Sequence, residues 1–206
     1  NKKNGKYNIL IIVENLPVPF DRRVWQEART LRKANYNVSI ICPVGKGYEK
    51  RYEEIDGIHI YRHPLPLEGN GFIGYVFEYG LSLFWEFILS IKVFKERGID
   101  VIQACNPPDN IFLIALFYKL FFRKKFIFDH HDINPELYEA KFSKKDFLYK
   151  MMILFERLTF MSADCSIATN ESYRKIAIQR GKMLPHKVHV IRSGPSLDRL
   201  KRLPVN

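Results

Sequence analysis

The densest group of ionisable side chains is Phe128–Glu136, FDHHDINPE, which follows on from the apolar start of a strand at Lys125–Phe128. Side chains alternate along an extended backbone, so Asp129 and His131 fall on one face and His130 and Asp132 on the other. That division argues against a four-ligand metal site, and no metal is expected. A His–Asp pair at a strand end orients a hydroxyl or stabilises developing charge; the plainer alternative is a histidine that caps the strand and bonds its own loop.

Two further loops occupy equivalent positions. Glu14–Arg23, ENLPVPFDRR, is stiffened by two prolines, and Asp21 is suited to cap the helix that starts there. Arg22 and Arg23 would then bring guanidinium forks and free backbone N–H groups to a strand edge, an arrangement for phosphate or carboxylate. A solvated first helical turn is the competing reading. In Asn106-Pro107-Pro108-Asp109, Asp109 is expected to cap the next helix while Asn106 faces the cleft. Gly69–Gly74 fits GxGxxG literally, but Pro64–Glu68 separates it from the preceding strand, so no dinucleotide site is assigned.

These loops need elements to hold them. Strand patterns occur at Tyr7–Val13, Val38–Cys42, Ile58–Arg62, Val101–Cys105, Lys125–His130, Cys165–Thr169 and Val188–Arg192. Helical patterns occur at Asp21–Ala34, Phe72–Arg97, Ile111–Phe122, Asp146–Ser162 and Glu171–Arg180. Tyr48–Glu54 reads as a charged loop, Ile58–Arg62 as an exposed strand, and the stretch between His130 and Asp146 as a polar loop. The alternation implies an α/β fold, a doubly wound and mainly parallel sheet with helices on both faces. Such sheets bind ligands at the carboxyl ends of their strands.

The 206 residues carry a net charge of +11, which calls for an anionic partner without choosing one. Cys42, Cys105 and Cys165 form no CxxC pair and read as small buried residues of a reducing compartment. No signal-peptide pattern is read at the polar lead-in Asn1–Lys6. Phe72–Phe94 is apolar but interrupted by Glu78, Glu86 and Lys92, so a membrane span is not expected. The aromatic residues of Phe72–Phe94 and Ile111–Phe126, beside Arg123-Lys124-Lys125, serve either as core or as an interfacial surface for anionic lipid.

The stretches NLPVPFDRRVWQEARTLRKANYNVSIICP, DVIQACNPPD, FDHHDINPELYEAKF and SIATNESYRKIAIQRG together resemble the amino-terminal domain of family 4 glycosyltransferases, retaining enzymes of the GT-B fold common in bacterial polysaccharide assembly. The resemblance runs from about Tyr7 to Asp198. It implies an acceptor-side domain over residues 1–198, the start of an interdomain linker at 199–206, and a donor-binding domain beyond them.

By that resemblance His131 matches the histidine placed near the reacting sugar, with His130 as the alternative one register away. Arg22, Arg23, Asn106, Asp132, Asn134 and Glu136 become the acceptor- or phosphate-binding group. Where many relatives carry a Gly-Gly pair after the first strand this loop is proline-rich, so phosphate contact falls to the two arginines. Val190–Pro195 replaces the relatives' Pro-Asn turn with Arg192-Ser193.

The implied activity is transfer from a nucleotide-diphosphate sugar to a glycan or lipid-linked acceptor. It implies no cofactor in this domain and no turnover by the fragment alone. The expected partners are the chain's own carboxyl-terminal domain, the acceptor and an anionic membrane surface at the inner face of a cytoplasmic membrane. Two other functions fit some of the same features. A sugar-nucleotide epimerase of the same fold would need no acceptor, and a basic module binding nucleic acid or membrane would bind tightly and lose affinity steeply with salt. No helix-turn-helix or RNA-recognition signature is present, which weighs against nucleic acid.

Overall fold

A computed structural model describes residues 7–65 and 71–194. The lead-in Asn1–Lys6, Gly69 and Asn70 of the glycine motif and the linker segment 199–206 lie outside the described residues.

The first strand, β1 (Asn8–Val13), is NILIIV, and its last five residues are all buried. A run apolar on both sides suits a central parallel strand covered above and below. Burying Leu10, Ile11 and Ile12 completely contributes roughly 1.5–3 kcal/mol per side chain.

Helix α1 (Arg22–Lys33) follows β1 and is capped by Asp21, which accepts from the Val24 backbone N–H at 3.0 Å. It lays Val24 and Ala28 on the sheet. The chain then forms β2 (Asn37–Pro43), β3 (Tyr52–Ile55), β4 (Ile58–His63), α2 (Gly71–Arg97), β5 (Val101–Cys105) and α3 (Phe112–Phe122). After these come β6 (Lys125–His130), α4 (Asn134–Phe142), α5 (Phe147–Ser162), β7 (Cys165–Ala168), α6 (Glu171–Gln179) and β8 (Val188–Val190). Gly98, at φ 75°, ends α2 in the left-handed region that a side chain would disfavour.

The eight strands form one sheet in the order β3-β4-β2-β1-β5-β6-β7-β8. β3 pairs antiparallel to β4, and the other neighbouring pairs are parallel. The chain winds outward from β1 through β2 to β4, then crosses to β5 on the other side of β1. The switch point therefore lies between β1 and β5, where such sheets open a crevice. α1 packs on one face; α2, α3, α5 and α6 supply the core on the other.

Three expectations need correction. Tyr52–Ile55 within the charged stretch is a strand, the antiparallel edge. Because it covers β4, Ile58, Ile60, Tyr61, Arg62 and His63 are buried rather than exposed. Asn134–Phe142 is a helix of its own within the supposed polar loop, opened by Pro135. Of the cysteines, Cys42 and Cys105 are buried while Cys165 is only partly so.

Candidate functional site

The strand ends that face the switch point carry a buried charged network. Asp129, near the end of β6, points to the α1 side with its side chain fully buried. Arg23, in the first turn of α1, donates from Nη2 to Asp129 Oδ1 at 2.9 Å. Its Nη1 donates to the Ile191 carbonyl at 3.1 Å and to Ser193 Oγ at 3.0 Å. One guanidinium thus ties α1, β6 and the segment after β8 together.

Gln103, a polar residue inside β5, donates from Nε2 to Asp129 Oδ2 at 3.0 Å and to Glu27 Oε2 at 2.7 Å. Burial, with Asp129 close by, pushes the Glu27 carboxyl up to about 8. Burial opposes the charge on Asp129 as well. The hydrogen bond and charge of His131, with the charge of Arg23, outweigh it and hold Asp129 at about 2. Two acids in one buried site are driven apart, one kept as carboxylate and one as acid.

His131 Nε2 lies 2.9 Å from Asp129 Oδ2 and 2.9 Å from Arg23 Nε. With a proton on Nε2 the ring donates to Asp129, and Arg23 Nε keeps a close polar contact, not a hydrogen bond, with Glu27 Oε1 at 3.2 Å. With Nε2 bare, it accepts from Arg23. The two arrangements differ in whether Nε2 carries a hydrogen, and in both Nδ1 is left without a hydrogen bond to the described residues. Its backbone is fixed too: the His131 N–H donates to Asn106 Oδ1 at 2.7 Å.

Cys105, Asp129 and His131 offer ligand atoms within 4.8 Å of one another. The donor set does not suit a metal ion. Arg23 sits against both Asp129 and His131 and would repel a cation, and burial pushes the Cys105 thiol well above its usual range.

The family profile of Glycosyltransferase Family 4 matches residues 21–199, most of the chain and all of this network. The chain belongs to glycosyltransferase family 4.

A curated relative, the chitobiosyldiphosphodolichol beta-mannosyltransferase of Kluyveromyces lactis, is 30% identical over 158 residues, covering 74% of this chain and 32% of that protein. Sucrose-phosphate synthase from Thermosynechococcus elongatus superposes with a TM-score of 0.68 at 14% identity, over 94% of this chain and 49% of that one. HepE from Anabaena, solved with UDP and glucose, gives 0.56 at 13% identity, over 93% and 46%. The family 4 domain therefore spans about a third of the curated relative and about half of these solved chains. The solved structures share its α/β fold.

Within this family 4 domain the expected site residues separate into three groups. Arg23 and His131 meet around Asp129. Arg22 is exposed at the start of α1. Asn106, Asp109, Asp132 and Asn134 form a scaffold: Asn106 accepts from the backbone of His131 and Asp132, and donates to Asp109 and to the Asp132 carbonyl. Asn134 donates to the other Asp109 oxygen at 2.8 Å. Asp109 is thus a buried acceptor for two amides rather than a helix cap, and burial raises it to about 7.

Glu136 pairs with Arg180, which also grips the buried Glu156 through Nη2 at 2.6 Å. His130 takes the opposite face, as alternation requires. It is fully buried against Phe128, Phe160 and Tyr173, and burial lowers it to about 3. The reading of Arg22 and Arg23 as a pair acting outward does not fit Arg23, whose donors are taken up internally. The residues absent from the expected set are Glu27 and Gln103. Each carried a signal: Glu27 lies one turn beyond Arg23, and Gln103 interrupts an apolar strand.

Proposed function

We propose that in the intact enzyme this sheet edge holds the acceptor, a glycan or lipid-linked glycan, beneath a nucleotide-diphosphate sugar bound by a second domain. The observation that carries the proposal is His131, oriented on Nε2 by Asp129 and Arg23 and free on Nδ1 at the carboxyl end of a central strand. A ring held this way accepts a hydrogen bond from a reacting hydroxyl through a bare Nδ1, or donates one to oxygen as charge develops when Nδ1 carries a hydrogen. Asp129 fixes the ring and Arg23 fixes Asp129. Retaining, same-face transfer is the stereochemistry the family supports, with the leaving diphosphate taking the acceptor proton. The relative from Kluyveromyces, named for a lipid-linked chitobiosyl acceptor, supports the acceptor class.

The test is sugar transfer by the full-length protein. His131→Ala should lower kcat by about 10²–10⁴-fold, the usual range for a positioned acid–base group, measured below the variant's thermal midpoint where circular dichroism shows it folded. Unchanged turnover would remove His131 from the reaction. The anomeric configuration of the product, read by proton NMR, tests retention.

The proposal extends to a membrane surface. No helix of the described residues is long and apolar enough to cross a membrane. Phe77, Phe84 and Ile88 form an exposed apolar stripe on α2, and Leu120 and Phe121 are exposed on α3 next to Arg123. Apolar side chains beside cations suit shallow docking on anionic lipid at the cytoplasmic face.

A further inference from the structure

Helix α2 buries a polar row over its middle, beside the apolar Leu83, Phe87 and Leu89 that pack on the core. Its buried positions Ser82, Glu86 and Ser90 recur every four residues and are polar, while Phe77, Phe84 and Ile88 face outward. A helix normally turns its apolar stripe to the core. Ser90 is accounted for: its hydroxyl donates to the Phe87 carbonyl at 2.7 Å and meets the Tyr118 hydroxyl at 3.1 Å. Ser82 donates to Glu14 Oε1 at 2.8 Å. Glu86 has no such explanation. It is fully buried, and neither carboxyl oxygen has a hydrogen-bond partner.

A second orphan lies on the same side of the sheet. His63, at the end of β4, is 1% exposed, and its Nε2 has no partner. Nδ1 lies 2.9 Å from the Pro64 carbonyl, which only accepts, so Nδ1 carries the hydrogen and Nε2 presents a bare lone pair.

Register brings these groups to one level. Ile12 pairs with Ile41, which carries Glu14 to the level of Pro43, and Pro43 pairs with His63. Parity puts Glu14 and His63 on the face of Leu10, Ile12 and Tyr61, the face α2 covers. Lys92 lies over the Tyr61 ring. Two strand residues further, at roughly 3.3 Å each, correspond to about four helical residues, which brings His63 within about one turn of Glu86.

We infer that Glu14, His63 and Glu86 line a second binding site, under the middle of α2, that takes the hydroxyl groups of a sugar unit of the acceptor. Leaving a buried polar group unpaired costs about 1–3 kcal/mol, so three orphaned atoms in one layer point to a missing partner. The chemistry selects that partner. Burial and the neighbouring Glu14 push Glu86 well up, and burial also raises Glu14 and lowers His63, so neutral donors and acceptors face one another. Phosphate would meet the two carboxyls, on which no cation is felt; Arg51 acts on His63. Hydroxyls, which donate and accept, match Nε2 as acceptor and Glu86 as donor. The inference rests on the chain being the acceptor half of a transferase and adds which residues read the sugar.

The test uses the intact protein labelled with ¹⁵N-histidine, with N,N′-diacetylchitobiose as the probe. His63 and His131 report in one spectrum. The saccharide should move the His63 Nε2 resonance upfield, as expected for a lone pair that begins to accept a hydrogen bond. Glu86→Gln, which keeps the shape of the protonated acid, should preserve the response. Glu86→Leu should weaken binding about tenfold or more, the loss of one buried polar contact. Glu86→Leu should also fold, since removing an unpaired buried polar group does not lower the thermal midpoint. A response at His131 with none at His63 would overturn the second site and leave the acceptor reading standing. No response at either would overturn both. Equal affinity in wild type and Glu86→Leu would mean that water alone fills the layer.

Discussion

Arg23 and Asp129, 106 residues apart in sequence, meet at 2.9 Å with the carboxylate wholly buried. The contact joins the first turn of α1 to the end of β6 across the switch point, and His131 is held against both. Removing Arg23 takes from the buried Asp129 carboxylate its guanidinium partner and leaves it to Gln103 and His131. Arg23→Met should therefore cost roughly 3–5 kcal/mol in urea unfolding, beyond the loss of one exposed ion pair. A loss under about 1 kcal/mol, the value for a surface pair, would show that the contact is not formed.

Glu27 gives a pH signature of definite sign. Its folded carboxyl keeps its proton up to about 8, against an ordinary value of 4.5. Between those values the folded state binds more protons than the unfolded one. The stabilising contribution is thus complete below 4.5 and is lost as pH rises through about 8. Glu27→Gln should abolish that decline, flattening stability between about pH 5 and 8 by a few kcal/mol relative to wild type. Parallel pH dependences of the two urea midpoints would contradict it.

Arg180 bridges Glu136 on α4 and Glu156 on α5, and so holds the helices that follow the His131 loop. Glu156 is only 1% exposed. Arg180→Ala should destabilise by about 3–5 kcal/mol through the stranded carboxyl, and Arg180→Ala with Glu156→Leu should recover part of the loss. Calorimetry on the two variants checks this, and a double variant no better than the single would oppose it.

The exposed α2 and α3 stripes predict lipid dependence. Phe84→Asp with Phe121→Asp should reduce co-sedimentation with vesicles of anionic phosphatidylglycerol at low salt, and should leave transfer to a soluble acceptor unchanged. Equal sedimentation of variant and parent would remove the membrane from the proposal.

The fold was largely legible because central parallel strands are runs of buried aliphatics, as in NILIIV, and each is followed by a helix. What escaped had no such signature. Helix α4, NPELYEAKF, carries no apolar stripe and is placed by Pro135 and the Glu136–Arg180 pair. β3 is a charged edge strand recognisable only from the strand it covers.

At the site, strand parity alone separated Asp129 and His131 from His130. The parts played by Glu27 and Gln103 depend on β5 lying beside β6 with α1 across them, which is tertiary information. Asp109 was misread for the same reason: its two amide partners come from the loop before it and from α4.

The most direct measurement is the single-turnover rate of sugar transfer by the full-length protein carrying His131→Ala or His130→Phe. A site built on His131 predicts a fall of at least about 10²-fold in the first. In the second, whose ring stays among Phe128, Phe160 and Tyr173, the rate should remain near that of wild type. Wild-type turnover by His131→Ala, or loss confined to His130→Phe, would contradict it.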